Sequence, residues 1–200
     1  MLALKEHVDS LLACRRCPEM IPPVVSGRPI HSKVMLVGQA PGSKEGSFGK
    51  PFAWTAGKTM FKWFGSIGVE EEQFRSRVYM AAVCRCFPGK AKAGGDRVPN
   101  DTEIANCRPW MEREFELLKP ELVIAVGRLA IDRFLQCDKL AEVIGRTFPT
   151  EVFGVETEIL PLPHPSPASS WFKTEPGKSL LGEALGVLSR HPAWLEAMRD

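Results

Sequence analysis

Two hundred residues with a net charge of +2 and a pI near 8.2 suit one compact domain, but that weak positive balance does not by itself indicate a nucleic-acid partner, so any such contact must come from local clustering. Hydrophobic residues make up 44% and charged residues 25%, an ordinary globular balance that excludes a disordered chain. No apolar run approaches the roughly 20 residues of a membrane span, Met1 to Ser10 lack the apolar stretch of a secretory signal, and in the cytoplasmic setting this implies the six cysteines read as thiols or metal ligands rather than disulfides.

An amphipathic helical stretch opens the chain and leads into Cys14-Arg15-Arg16-Cys17. Val34-Met35-Leu36-Val37 is short, apolar and β-branch-rich and ends at Gly38, the pattern of a strand buried on both faces. Gly42 to Pro51 is a glycine-rich loop. Ala56 to Ile67 places Met60, Phe61 and Phe64 on one helical face. Val78 to Val83 predicts a second strand in chain order. Gly89 to Pro99 carries Lys90, Lys92 and Arg97 among glycines and predicts a mobile loop.

Asn100 with Glu103 three residues on is a capping-box pattern. It opens a helix over Asp101 to Leu118, with Ile104, Cys107, Met111, Phe115 and Leu118 at helical spacing. Leu122 to Val126 is another apolar run into a glycine, and Glu158 to Leu162 predicts a further strand. A last helix covers Lys178 to Leu188. Strands alternating with helices predict an α/β fold, a three-layer α/β/α sandwich around a central, mainly parallel four-stranded sheet, with residues 1–200 as one domain. Ligands of such sheets sit at the carboxyl ends of the strands. Gly38-Gln39-Ala40-Pro41-Gly42 after the first strand and His164-Pro165-Ser166 after the last are therefore expected to meet at one edge. Nothing in the chain points to oligomerisation, and a monomer is expected.

Cys14 and Cys17 form a Cys-x-x-Cys pair, with Cys84, Cys86, Cys107 and Cys137 further on. A four-thiolate site suits zinc or an iron–sulfur cluster, and spacing leaves both open. A thioredoxin-like motif would follow a strand and open a helix. Here the pair follows a helix instead. Gly38-x-x-Pro41-Gly42 lacks the Gly-Lys-Ser/Thr end of a phosphate loop.

Six segments in order resemble the uracil-DNA glycosylase superfamily, in its iron–sulfur branches, families four and five. They are Cys14-x-x-Cys17-Pro18, Val37 to Gly42, Gly49-Lys50-Pro51-Phe52 with Ala56-Gly57, Met80 to Pro88, Glu103 to Trp110, and His164-Pro165-Ser166-Pro167. The resemblance implies a 4Fe-4S cluster held by Cys14, Cys17, Cys86 and Cys107 on an N-terminal arm. Cys86 is chosen over Cys84 because the family's ligand lies just before a proline.

The resemblance also implies excision of uracil from DNA after the base is flipped out. Phe52 is the candidate stacking surface. Gly38, Ala40, Pro41, Gly42, Ala82 and Ser166 would line the base pocket. His164 is the candidate donor to the departing anion, and Gln39 the candidate water positioner. An amide cannot take a proton as a carboxylate does. Family four carries Glu at the place of Gln39, and the counterpart of family five's Asp is Thr55, so no general base is evident. Glu45 is the nearest acid in the loop. That gap keeps a catalytically weak or inactive lesion-binding protein as the alternative.

Ala81-Ala82 stand where family four has an asparagine reading the uracil edge, so other deaminated bases such as hypoxanthine or xanthine are expected as substrates too. Family one's tyrosine that bars thymine is replaced by Gly42. Ser166, Ala168, Ser169, Trp171, Phe172 and Lys173 resemble the DNA-inserting loop. Ala168 holds the place of the wedge leucine, with Trp171 or Phe172 as substitutes. Ser43, Ser47, Ser166, Ser169 and backbone amides would hold phosphates, and Arg15, Arg16, Lys44, Lys90, Lys92, Arg97 and Lys173 would form a basic rim.

Overall fold

The computed structural model describes residues 2–92 and 94–199. Its sheet has five strands in the order β2-β1-β3-β5-β4: β1 Val34–Gly38, β2 Tyr79–Ala82, β3 Leu122–Val126, β4 Phe148–Val152 and β5 Val155–Leu162. β2, β1, β3 and β5 are parallel, with Met35 beside Tyr79, Val34 beside Leu122 and Leu122 beside Glu158. The sequence predicts four of these strands, and β4 is the addition. It runs antiparallel to β5. Its Phe148-Pro149-Thr150-Glu151-Val152 contains a proline, which cannot donate to a ladder and is tolerated at a sheet edge. Phe153 and Gly154 join the two strands with φ of 51° and 75°, the left-handed pair that a two-residue hairpin turn requires.

The helices are α1 Leu2–Leu12, α2 Glu45–Phe48, α3 Thr55–Gly65, α4 Glu71–Arg77, α5 Asp101–Leu118, α6 Arg128–Ile131, α7 Gly177–Arg190 and α8 Pro192–Ala197. Every residue of β1, β2 and β3 is buried, which requires cover on both faces. α1 packs on α5, α7 on α8 and β5, and α8 on β1. Phe64 of α3 stacks on Phe74 of α4 at 4.5 Å, and Trp194 of α8 sits 5.9 Å from both rings. The capping box predicted for α5 is present: Asn100 Oδ1 accepts the Glu103 N–H, and Glu103 Oε2 accepts the Asn100 N–H, each at 2.9 Å.

Glu114 of α5 is fully buried and joins three segments. It accepts a hydrogen bond from Tyr79 Oη at 2.7 Å and another from Arg85 Nη2, and His7 Nε2 lies 3.7 Å away. Burial pushes its carboxyl up, but Arg85, His7 and Tyr79 together outweigh that and hold it below the usual carboxylate range. Losing one partner of such a pair costs about 3–5 kcal/mol, because the other is left charged and dry. The network therefore fixes α1 and α5 against β2 and against the Cys84–Cys86 segment.

Candidate functional site

The four parallel strands end at Gly38, Ala82, Val126 and Leu162. A cavity of about 640 Å³ lies at that edge. Gly38 to Gly42, Phe52, Ala82, His164, Ser166, Ala168 and Ser169 all line it. The two motifs from opposite ends of the chain meet there. The loop after β1 is held to the extension of β2 by Val83 N–H to Gly38 O at 2.9 Å and Cys84 N–H to Gln39 O at 3.0 Å.

Phe52 adopts φ 53°, a left-handed conformation that a bulky residue reaches only when its surroundings impose it. Three residues impose it. A Cβ at Gly38 would fall 2.9 Å from the Phe52 ring, and one at Gly57 would collide with the Phe52 carbonyl oxygen at 1.7 Å. Buried Arg75 of α4 then donates to Pro51 O at 2.9 Å and Phe52 O at 3.0 Å. Arg75 is a positioning residue that the sequence reading missed. Its only local signal is its place beside Phe74 and four residues after Glu71.

His164 lies against Gly127, whose φ is 87° and where a Cβ would stand 2.8 Å from the imidazole Cδ2. Its Nδ1 accepts the Ser166 N–H at 3.2 Å. That acceptor role places the ring proton of the neutral form on Nε2. Burial lowers the imidazole below its ordinary value, and Asp96 opposes this in part. A neutral ring with a donor at Nε2 suits a carbonyl oxygen that gains negative charge.

Two carboxylates also line the cavity. Asp96 arrives from the segment after β2, and the sequence reading missed it. Gly89 to Pro99 are expected from sequence to be a mobile loop. Instead they are pinned at both ends: Lys90 and Asp96 form a bridge, Arg97 N–H donates to Gly89 O at 2.9 Å, and Arg97 makes two bonds to Glu103 at 2.8 and 2.5 Å. This small hairpin sets an Asp96 oxygen 3.4 Å from where a Gly42 Cβ would be. Lys90 Nζ donates to the other oxygen at 2.6 Å. Glu45, in α2, is buried, and burial raises its carboxyl to about 7 against the amides of Phe52 and Gly42. Thr55 also lines the cavity.

The segment after His164 folds on itself. Ser166 Oγ accepts the Ala168 N–H at 3.3 Å, and Lys173 Nζ donates to Pro167 O at 2.9 Å. Ala168 is exposed at the tip. Trp171 and Phe172, expected as wedge substitutes, are half-buried instead. Phe172 meets Trp63 edge-on at 5.0 Å, and the Trp171 ring would be 2.7 Å from a Cβ at Gly177. Of the expected basic rim, Lys90 and Arg97 are already ion-paired with Asp96 and Glu103. Arg16 lies over Trp110 at 5.0 Å.

A second cavity, of about 300 Å³, is lined by Cys14, Cys17, Cys86 and Cys107 together with Arg85 and Trp110. Cys84 does not line it. It is fully buried beside Cys107. The neighbouring Cys84 and Arg85 favour the Cys107 thiolate and lower that thiol, whereas burial and the neighbouring sulfurs raise Cys86 to about 11. Arg85 Nη1 and Trp110 Nε1 are buried donors without a partner. Among the described residues, no group of three or more His, Cys, Asp or Glu side chains is set to hold a single metal ion. Cys137 lies apart from this group and, like the other five, is a free thiol.

A model of the uracil DNA glycosylase superfamily matches residues 25–186. A protein of Archaeoglobus fulgidus named Type-4 uracil-DNA glycosylase is 26% identical over 177 residues, covering 83% of each chain. One of the same name from Pyrobaculum aerophilum is 30% identical over 138 residues, or 66% of each chain. A Type-5 uracil-DNA glycosylase of Pyrobaculum aerophilum is 26% identical over 155 residues, covering 62% of this chain and 66% of that one.

The His164 environment makes a direct expectation. By NMR the imidazole should titrate below the ordinary value of about 6.5 and show the Nε2–H tautomer. The unfolded chain takes up that proton more readily than the folded one, so this group removes stability as pH falls below about 6.5. An imidazole that titrates above 6.5, or a proton on Nδ1, contradicts the geometry.

Proposed function

The chain belongs to the uracil DNA glycosylase superfamily, and from that premise we propose that it hydrolyses the N-glycosidic bond of a flipped-out uracil, and of other deaminated bases, in DNA. The observation that carries this reading is His164, whose Nδ1 accepts the Ser166 N–H and so leaves Nε2 as the donor, in one cavity with the clamped Phe52. The base enters the cavity and stacks on Phe52. As the glycosidic bond breaks, electrons move onto the uracil ring, and His164 Nε2–H donates to the oxygen where the charge collects. That bond strengthens as charge develops, so it stabilises the transition state more than the bound substrate.

Water then adds to the sugar carbon and loses a proton. Gln39 orients it, and Asp96 takes the proton. Asp96 is the cavity carboxylate that stays open to solvent, with its side chain 39% exposed and ion-paired to Lys90. Glu45 is the buried one, its carboxyl raised to about 7 by that burial. The alternative of a lesion binder without catalysis rests on a missing carboxylate, and a cavity carboxylate at Asp96 supports the catalytic reading instead. Ala82 offers no side-chain amide to read the base edge, which fits acceptance of hypoxanthine or xanthine beside uracil.

The cysteine cavity fits a 4Fe-4S cluster on Cys14, Cys17, Cys86 and Cys107. Four soft sulfur donors, room beyond that of one ion, and two unpartnered N–H donors support this reading. When bound, the cluster supplies a structural cross-link between the arm, the segment after β2, and α5. No hydrolytic step passes through it. The same cysteines, none of them in a disulfide, fit a reducing cytoplasm. The protein is read as a single domain that acts as a monomer.

Purified protein should be brown, with broad visible absorbance lost on substituting Cys86 but not Cys84. A colourless protein with one zinc per chain overturns the assignment. Strand nicking after alkali should reveal excision from uracil-containing duplexes. His164→Ala should lower the single-turnover rate by about 10²–10³-fold and Asp96→Asn by roughly 10²-fold or more, with a smaller loss for Gln39→Ala. Near-full activity in His164→Ala refutes the mechanism.

A further inference from the structure

The first cavity has an aromatic lip that the reaction above does not use. Trp54, just before α3, lines the cavity and is 43% exposed. Phe48, at the end of α2, is 49% exposed and stacks on Trp54 with ring centroids 5.8 Å apart and planes 24° from parallel. Left-handed Gly49, φ 64°, ends α2 directly after Phe48. Two large rings held half in water are an unfavourable arrangement for the free protein. The third strongly exposed aromatic, Phe153, differs: it packs edge-on against Phe115 at 5.3 Å and lies far from the cavity lining.

The surroundings of the pair say what covers it. Lys58 Nζ is 5.7 Å from the Trp54 ring centroid. Lys44 precedes α2, Lys50 follows Gly49, and all three lysines are exposed. None of them is in an ion pair among the described residues, whereas Lys90, Arg97 and Arg85 all are. Stacked aromatic faces bordered by unpaired cations are the combination that binds single-stranded nucleic acid: the rings take bases and the cations take phosphates. An apolar peptide or a second copy of the chain would leave three charges to bury. The segment after His164, which also lines the cavity, presents only Ala168 at its exposed tip, with Trp171 and Phe172 half-buried. A methyl group is too short to fill the space of a missing base.

We propose that the Phe48–Trp54 pair is a stacking platform for the nucleobase next to the flipped one in the same DNA strand, with Lys44, Lys50 and Lys58 on its phosphates. This rests on the glycosylase reading for the position of the flipped base. Flipping leaves a neighbouring base with one face exposed. The platform restores that stacking contact and so holds the strand open.

The test is binding, not turnover. Single-stranded DNA carrying a non-hydrolysable 2′-fluoro-deoxyuridine with 2-aminopurine beside it is titrated with the full-length protein. Wild type should quench the 2-aminopurine fluorescence, since the fluorophore stacks on an indole. Trp54→Ala and Phe48→Ala should each weaken binding roughly tenfold and abolish the quench. Trp54→Phe should keep most of the affinity. Moving the 2-aminopurine five nucleotides away should remove the quench in wild type. Both side chains are half-exposed, so an unchanged melting temperature verifies the fold of each variant. Wild-type affinity and quench in Trp54→Ala and Phe48→Ala overturn the proposal. Quenching on this DNA by a wild type that releases no uracil from the same strand carrying ordinary deoxyuridine would support the platform and sink the glycosylase reading, so the two fail separately.

Discussion

Parallel strands share a carboxyl edge only if every connection crosses back over the sheet. That constraint organises this molecule. β1, β2, β3 and β5 each deliver a different chemical part to one line: the Gly38–Gly42 turn, the segment leading to Asp96, Gly127, and His164. Residues more than a hundred positions apart thereby become neighbours, at no cost beyond that of folding the sheet. The buried Glu114 network holds the same frame from the other side. It fixes β2 against α1 and α5, and so sets the Cys84–Cys86 segment between the base cavity and the cysteine cavity.

Pre-organisation at the edge is built from contacts that only a few residues permit. Phe52 is held in a left-handed conformation by two glycines without side chains and one arginine with two donors. His164 is held by a third glycine and by a backbone amide that dictates its tautomer. Each restraint acts before substrate arrives, so the donor and the stacking surface need not reorganise when charge develops.

The parts of this account written in local sequence were legible. The apolar runs of β1 and β3, the capping box of α5 and the two cavity motifs follow from residue type and period. The edge strand β4 did not, because Pro149 and its alternating exposure resemble a loop. The four cysteines share a cavity, and no disulfide competes for them. Asp96 was missed for a physical reason. Nothing local marks an aspartate in a glycine-rich loop, and its place depends on the Lys90 bridge and on Arg97 gripping Glu103. Arg75 was missed because its partners are backbone carbonyls, which leave no trace in side-chain pattern. How far Trp171 and Phe172 pack against their neighbours was not legible, because exposure of an aromatic cannot be read from its position near a motif.

The central claim is that His164 works on the leaving group. The most direct measurement compares uracil with 5-fluorouracil, whose anion is intrinsically more stable, in single-turnover excision by wild type and His164→Ala. A donor aimed at the departing anion matters less when the anion needs less help. The account predicts a much smaller loss in His164→Ala with 5-fluorouracil than with uracil. An equal loss on both bases would place His164 elsewhere in the reaction and contradict it.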